Sequence, residues 1–488
     1  MTPLDSAPEP DGSRWERWRL PAAGVLLAAY FAWLSRATLH VQFAPDDMMN
    51  LAHYWRLPPW QQILGPLMPW RPLYRPVAGW FLMPILHGFG LRPEAFRVGL
   101  LAVLLANVFL IHRLSRLLGC GERAALLVAL IACYHVGLNN LYYNIAFVFD
   151  ALCGFFFVAA LLYYVAIRQR GAAPGWRQIA AFLGLYLAAL GSKEMAATLP
   201  AVLLLYEWFY RAPAPWRPRD PGRWLRGPGR CILAGVCLTL VSLGVRVLGK
   251  GGLIQGAAYE PKLSLARVWK FQTESLADLF EKWQFFGRPE IVALWVLMFY
   301  LAWRRRRPVL RFACLGLLVT PLPIEFLIGR AGACLYIPMV FWAIFVSVAF
   351  VDLAEGAAGF LAGEPGFRRL GRQWIAAGLV AAGAFWWAQY NADLKRRFVD
   401  PSTVDFAPLT WNAIQELQAI RIEPRPRSTV VFLNDPLGTF DMAFIAELVF
   451  MDRSLTILLN RQTPLSPGEI AKAECVLDYR DGHFVRVR

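Results

Sequence analysis

Asn144-Ile145-Ala146-Phe147-Val148-Phe149-Asp150 opens an apolar run that continues through a Phe-rich stretch, Ala151 to Phe157, and ends before Arg168 and Arg170. The run covers residues 146–167, enough at about 1.5 Å per helical residue to cross roughly 30 Å of hydrocarbon. One carboxylate, Asp150, sits about a turn inside one end. A charge at that depth is costly and is kept for function or for pairing, and an arginine such as Arg75 is the alternative partner.

Working outward, the chain around this run has the same character. Hydrophobic residues make up 57% of the 488 and charged residues 17%. Ordinary globular chains have about 45–50% and 25%. The mean hydropathy of +0.41, with 20 Trp and 33 Phe, excludes a disordered chain and points to an integral membrane protein. The net charge of +16 suggests nucleic acid only if the basic residues share a face with interleaved aromatics. They fall instead in short loops between apolar runs, so no nucleic-acid partner is expected. No C-x-x-C spacing occurs among the eight Cys. Cys133, Cys153, Cys231, Cys237 and Cys314 lie inside apolar runs, read as small buried hydrophobes without disulfides.

Residues 1–19 form a polar cytoplasmic segment with Arg14, Arg17 and Arg19, and Leu20–Leu34 reads as an uncleaved anchor. Residues 38–92 are rich in Pro and Trp and form a large first outer loop. Within it, Tyr74–Phe89, punctuated by Pro76 and Pro84, fits an interfacial helix. Ten further runs follow, near 94–112, 124–138, 146–167, 178–191, 195–210, 231–248, 290–303, 309–327, 335–353 and 373–390. Eleven spans alternating from a cytoplasmic N-terminus put Arg113, Arg116 and Arg123, the six Arg from Arg211 to Arg230, and Arg304 to Arg307 on the cytoplasmic side. The short outer loops then hold only Lys193 and Arg330 as basic residues, as the positive-inside rule demands. The expected fold is an all-α polytopic membrane domain over residues 20–390. Residues 391–488 follow as an extracytoplasmic α/β domain with strands at Ser428–Leu433 and Leu455–Leu459, a helix at Phe440–Phe450, and a hairpin around Asp481-Gly482.

Four places gather ionisable residues at the outer face. The adjacent carboxylates Asp46 and Asp47 repel, which raises one pKa unless a cation intervenes. They suit a general base, or a divalent cation such as Mg or Mn bound through oxygen, and equally a helix N-cap. Asp150 is the second. Gly191-Ser192-Lys193-Glu194 is the third, a tight turn where Lys193 can meet an anionic group or merely form a solvated pair with Glu194. Arg330, followed by Tyr336, is the fourth: a phosphate fork or a snorkelling anchor.

These places, in this order, resemble the GT-C superfamily of membrane glycosyltransferases, which use polyprenyl-phosphate sugars and carry an acidic motif in the first outer loop. Asp46-Asp47 stands where that motif stands. Tyr74-Arg75-Pro76 is similar to the following segment of protein O-mannosyltransferases and transmembrane-TPR O-mannosyltransferases, as is Asn139–Asp150 with Ala151–Phe157. Gly191–Glu194 and Arg330–Pro338 resemble later motifs of the transmembrane-TPR group and its bacterial relatives, and the aminoarabinose transferases share the plan. No 34-residue helical period follows the membrane region, and the spacing from Arg330 to Tyr336 is loose.

The resemblance implies transfer of a sugar, with inversion, from a polyprenyl-phosphate donor to an acceptor on the non-cytoplasmic side of the plasma (inner) membrane. Asp46 or Asp47 is then the base, and Asp150 orients the acceptor or its partner carboxylate. Arg75, Lys193, Glu194, Arg330 and Tyr336 bind substrate, with the cations meeting the charge that develops on the leaving phosphate. The acceptor, whether protein, lipid or glycan, is left open. Two other classes compete: a lipid or polysaccharide flippase, and a non-catalytic membrane scaffold. A flippase would line the midplane with charges and show an inverted repeat, and the sequence shows neither.

Overall fold

The computed structural model describes residues 14–71, 73–171, 173–211, 222, 224, 227–248, 262–280, 287–327, 330–362, 368–397, 401–437 and 441–488. Most of the N-terminal segment 1–19 and most of the loop 211–230 lie outside these residues. The described chain is mostly helical. Helix α1 covers Arg14–Ser35, α2 Pro45–Trp55, α3 Val77–Phe89, α4 Pro93–Leu117, α5 Glu122–Cys133, α6 Val148–Gln169, α7 Trp176–Ser192 and α8 Leu199–Tyr206. After them come α9 Gly229–Leu248, α10 Leu265–Lys270, α11 Arg288–Arg304, α12 Pro308–Val319, α13 Leu322–Glu325, α14 Tyr336–Leu361 and α15 Arg368–Arg397.

Among the described residues, six segments are long and apolar enough to cross a membrane: 21–40, 93–117, 145–169, 229–247, 308–325 and 332–361. These helices and the composition make the chain an integral membrane protein. The remaining expected runs are helical too, with α5 shorter at 12 residues and α7 and α11 at 17 each. The first-loop run forms the 13-residue apolar helix α3, with Pro84 inside it.

Helix α6 packs between α4 and α7, and α14 packs against α5, α12 and α15. The α4–α5 turn is tight because Gly119 and Gly121 both take φ +78°, which a side chain would resist. Close helix approaches use glycine as well. The Tyr336 ring of α14 lies so near Gly154 of α6 that an added Cβ would sit 2.6 Å from it. The described cysteines are all free, and Cys237, expected inside, is exposed on α9.

Beyond α15, α16 (Pro401–Ala419) leads to a four-stranded sheet: β1 Thr429–Phe432, β2 Thr456–Leu459, β3 Cys475–Arg480 and β4 His483–Arg486. The strand order is β2-β1-β3-β4. β1 runs parallel to both neighbours, with Thr429 opposite Thr456 and Val430 opposite Cys475, and β3–β4 is an antiparallel hairpin. Its turn is Asp481-Gly482, both at positive φ, as a two-residue hairpin loop requires. Helix α17 (Asp441–Phe450) crosses between β1 and β2 and packs on α2 of the first loop.

Candidate active site

Asp46 and Asp47 divide their work. Pro45 occupies the first position of α2, and Asp47 Oδ2 accepts the Ala44 amide at 2.9 Å, closing the helix start. Its Oδ1 accepts the Ala146 amide at 2.8 Å, and Arg97 Nη2 lies 3.6 Å from Oδ2. Arg97 donates in turn to the carbonyls of Gln42, at 2.9 Å, and Tyr143. Asp47, 1% exposed, therefore ties the first loop to the turn that precedes Asp150. Burial raises its pKa, and Arg97 and the two amides offset only part of that.

Asp46 is exposed and free of such duties, its own carbonyl taking the Asn50 amide at 2.8 Å. Crowding by the surrounding protein raises its pKa, and the Asp441 carboxylate adds to the effect. Asp441 arrives from the C-terminal domain, whose α17 is clamped on α2. Arg56 Nε meets Glu447 Oε2 at 2.6 Å, the Arg56 guanidinium lies 5.3 Å from the Phe444 ring centre, and Arg453 lies 4.9 Å from that of Trp55.

The second half of the site is a buried charge cluster. Lys193 Nζ meets both oxygens of Asp150, at 2.6 and 2.7 Å, and lies 3.2 Å from Cys334 Sγ. Arg75 Nη2 meets both oxygens of Glu194, at 3.0 and 3.2 Å. The Lys193–Glu194 pair that was the alternative reading of the turn does not form. Lys193 is extended (φ −160°, ψ 151°), so adjacent side chains leave in opposite directions for different partners. Burial would lower the Lys193 pKa, but Asp150 more than restores the ammonium. Burial would raise that of Glu194, yet Arg75 and Lys193 hold it at about 2.

Arg75 has a φ of +39°, an uncommon conformation held by the Tyr54 hydroxyl, which donates to the Arg75 carbonyl at 2.9 Å. Its guanidinium sits 4.8 and 5.0 Å from the ring centres of Tyr74 and Phe149. Arg246, buried on α9, donates to the Leu190 carbonyl at 2.8 Å and interacts electrostatically with Glu194 and Arg75. Among the described residues three cations thus face two carboxylates, one positive charge in excess.

The other expected residues separate from this cluster. Arg330 lines a cavity with Lys270 and Glu325, and it is Cys334 that brings its segment to Lys193. Tyr336, expected at the substrate, is a core residue: its helix packs on α6, and its ring fills the space that Gly154 leaves. For the divalent cation that Asp46 and Asp47 could hold, Asp46 stands open, while both Asp47 oxygens already accept amides and face Arg97. No group of three His, Cys, Asp or Glu side chains converges among the described residues.

Sequence reading passed over Arg97, Arg246 and Asp441. The first two carried a signal, a charge inside an apolar run, whereas Asp441 sits in a segment with no local mark. Charges also meet at the far end of α6. There Arg168 grips Glu207 through two hydrogen bonds of 2.6 and 2.9 Å, joined by the Tyr164 hydroxyl at 2.9 Å. The buried ionisable residues are therefore not confined to one face, although this group is satisfied internally.

No family model and no curated protein matches the sequence. Among solved structures, ArnT from Cupriavidus metallidurans bound to undecaprenyl phosphate matches over 95% of this chain and 97% of its own. The identity is 14% and the TM-score 0.48. The apo oligosaccharyltransferase of Archaeoglobus fulgidus matches over 91% of this chain and 65% of its own, at 12% identity and a TM-score of 0.50. Its tethered complex with an acceptor peptide gives 12% and 0.49. At such identity the likeness is one of fold: over 91% of its length the chain shares the fold of the archaeal oligosaccharyltransferase.

Proposed function

We propose that the protein is a membrane glycosyltransferase that moves a sugar from a polyprenyl-phosphate donor to an acceptor at the non-cytoplasmic face of the plasma membrane. The reading takes eleven spans, a cytoplasmic N-terminus and an outer C-terminal domain. The observation that carries it is the excess positive charge of the buried cluster, together with an uncommitted carboxylate, Asp46, on the helix that Asp47 ties to the turn before Asp150. A buried net cation is costly alone and is offset by an anion, and a phosphate ester supplies one.

In the proposed reaction the acceptor hydroxyl attacks the anomeric carbon while Asp46 takes its proton. The bond from that carbon to the phosphate oxygen breaks on the opposite side, so the configuration inverts in a single displacement. The phosphate oxygen leaves with the bonding electrons. Lys193, Arg75 and Arg246 stabilise the charge that grows there, in a site where fixed charges need no reorganisation. Asp150 keeps Lys193 charged and in place, and Glu194 does the same for Arg75. Asp47 positions α2 and takes no proton.

The test is incubation of the purified protein with undecaprenyl-phosphate hexoses labelled in the sugar. With a membrane extract added as the source of acceptor hydroxyls, release of undecaprenyl phosphate is expected, with the label in a glycoside of the opposite anomeric configuration. Movement of intact lipid across a vesicle bilayer without cleavage would instead support a flippase.

A further inference from the structure

A cavity of about 610 Å³ opens beside α10 and α13, apart from the Lys193 cluster. Six of the nine residues lining it are charged or hydroxyl-bearing, including Arg267, Lys270, Ser275, Glu325 and Arg330. That lining is unsuited to a polyprenyl chain. A neighbouring cavity of about 300 Å³, walled by residues such as Phe280, Leu294, Leu297 and Phe345, is apolar instead.

Glu325 is the anomaly in this wall. It is 1% exposed, one carboxylate oxygen takes the Gln272 amide, and the other has no hydrogen-bond partner among the described residues. The Gln272 side-chain carbonyl, also buried, is unpartnered as well. Two adjacent buried acceptors without donors are an expensive arrangement, and a ligand bearing hydroxyl or ammonium donors relieves it. On the same wall the charge is reversed. Glu274 is bridged by Arg288 and lies 3.9 Å from Lys270, and among the described residues that line the cavity three cations, Arg267, Lys270 and Arg330, stand with two carboxylates, Glu274 and Glu325. The cavity is also linked to the reaction centre, since α13, which carries Glu325, packs on the turn 194–198 that follows Lys193.

We propose that this cavity is a second binding site, taking a phosphate-bearing polyol whose hydroxyls donate to Glu325 and Gln272 and whose phosphate is held by Arg330, Arg267 and Lys270. Calling that ligand the sugar acceptor rests on the glycosyltransferase reading above; the binding itself does not. A free metabolite and a lipid headgroup offer the same chemistry.

The test measures binding of sn-glycerol 3-phosphate to the full chain in phosphatidylcholine nanodiscs, with no donor lipid present. Saturable binding is expected, with glycerol alone much weaker. Glu325→Gln and Arg267→Ala are each expected to weaken it by about tenfold or more, with thermal unfolding of Glu325→Gln unchanged. Repeating the titration in phosphatidylglycerol nanodiscs separates the sources: displacement of the free probe assigns the site to a lipid headgroup, and unchanged binding assigns it to a soluble phosphate. Equal affinity in the wild type and both variants, or no binding in either lipid, overturns the proposal and means that water alone fills the cavity. Failure of donor cleavage with binding intact would overturn the transfer reading and leave the site standing.

Discussion

Two adjacent aspartates in one helical turn face unlike surroundings, and substitution separates their roles. Asp46→Asn removes the proton acceptor while keeping shape, and the rate is expected to fall roughly 10²–10⁴-fold with folding intact, read by donor turnover and thermal unfolding. Asp47→Ala strands Arg97 in the core and is expected to cost about 3–5 kcal/mol of stability. The protonation of Asp46 sets the acidic limb of kcat/KM. Because crowding and Asp441 raise its pKa, that limb lies above the ordinary carboxylate value of 3.8. Asp441→Asn removes a negative neighbour, lowers the Asp46 pKa and moves the limb to lower pH. A pH–rate profile of the two proteins checks the direction. Lys193→Met leaves Asp150 buried without a cation and is expected to lose about 3–5 kcal/mol, recovered in large part by adding Asp150→Leu. The doublet Asp46-Asp47 was legible as a candidate from residue type alone. Its division of labour was not, since it depends on Ala146, about a hundred residues away, and on Arg97.

Elements were legible where hydropathy has a period and obscure where tertiary contact decides. The hairpin at Asp481-Gly482, the strands near 429 and 456 and the helix ending at Phe450 follow from turn chemistry and alternation. Helix α16 shows no such signal, its sequence carrying Pro401 and Pro408, and it was not anticipated. Nor was the seating of α17 on α2, because Arg56 and Glu447 look like any solvated charges until the chain folds. Close helix contact is the part most exposed to test. Gly154→Ala places a methyl group 2.6 Å from the Tyr336 ring, and the overpacking is expected to cost about 1–3 kcal/mol. The expected readout is a lower Tm with unchanged donor affinity, because the contact lies between α6 and α14 in the core and touches no group of the charged cluster.

For the whole molecule, the positive-inside pattern gives a topology that the helix positions accommodate without measuring it. Reporter fusions at Asp400 and Arg219 are expected to fall on opposite sides of the membrane, and the same side for both would undo the eleven-span arrangement. The broad plan was readable because apolar runs and loop arginines are local features. The buried cluster was readable only in part: Arg246 stands out as a charge inside the run 231–248, but nothing local in that run shows that it meets Glu194. That arginine also gives access to the central claim, that surplus buried charge receives a lipid phosphate. Arg246→Met removes the surplus and leaves the Arg75–Glu194 and Lys193–Asp150 pairs intact, so the fold is expected to survive. The decisive measurement is the affinity of undecaprenyl phosphate for the wild type and for Arg246→Met in the same nanodiscs. A loss of about tenfold or more is predicted; equal affinity in a folded variant would contradict the account.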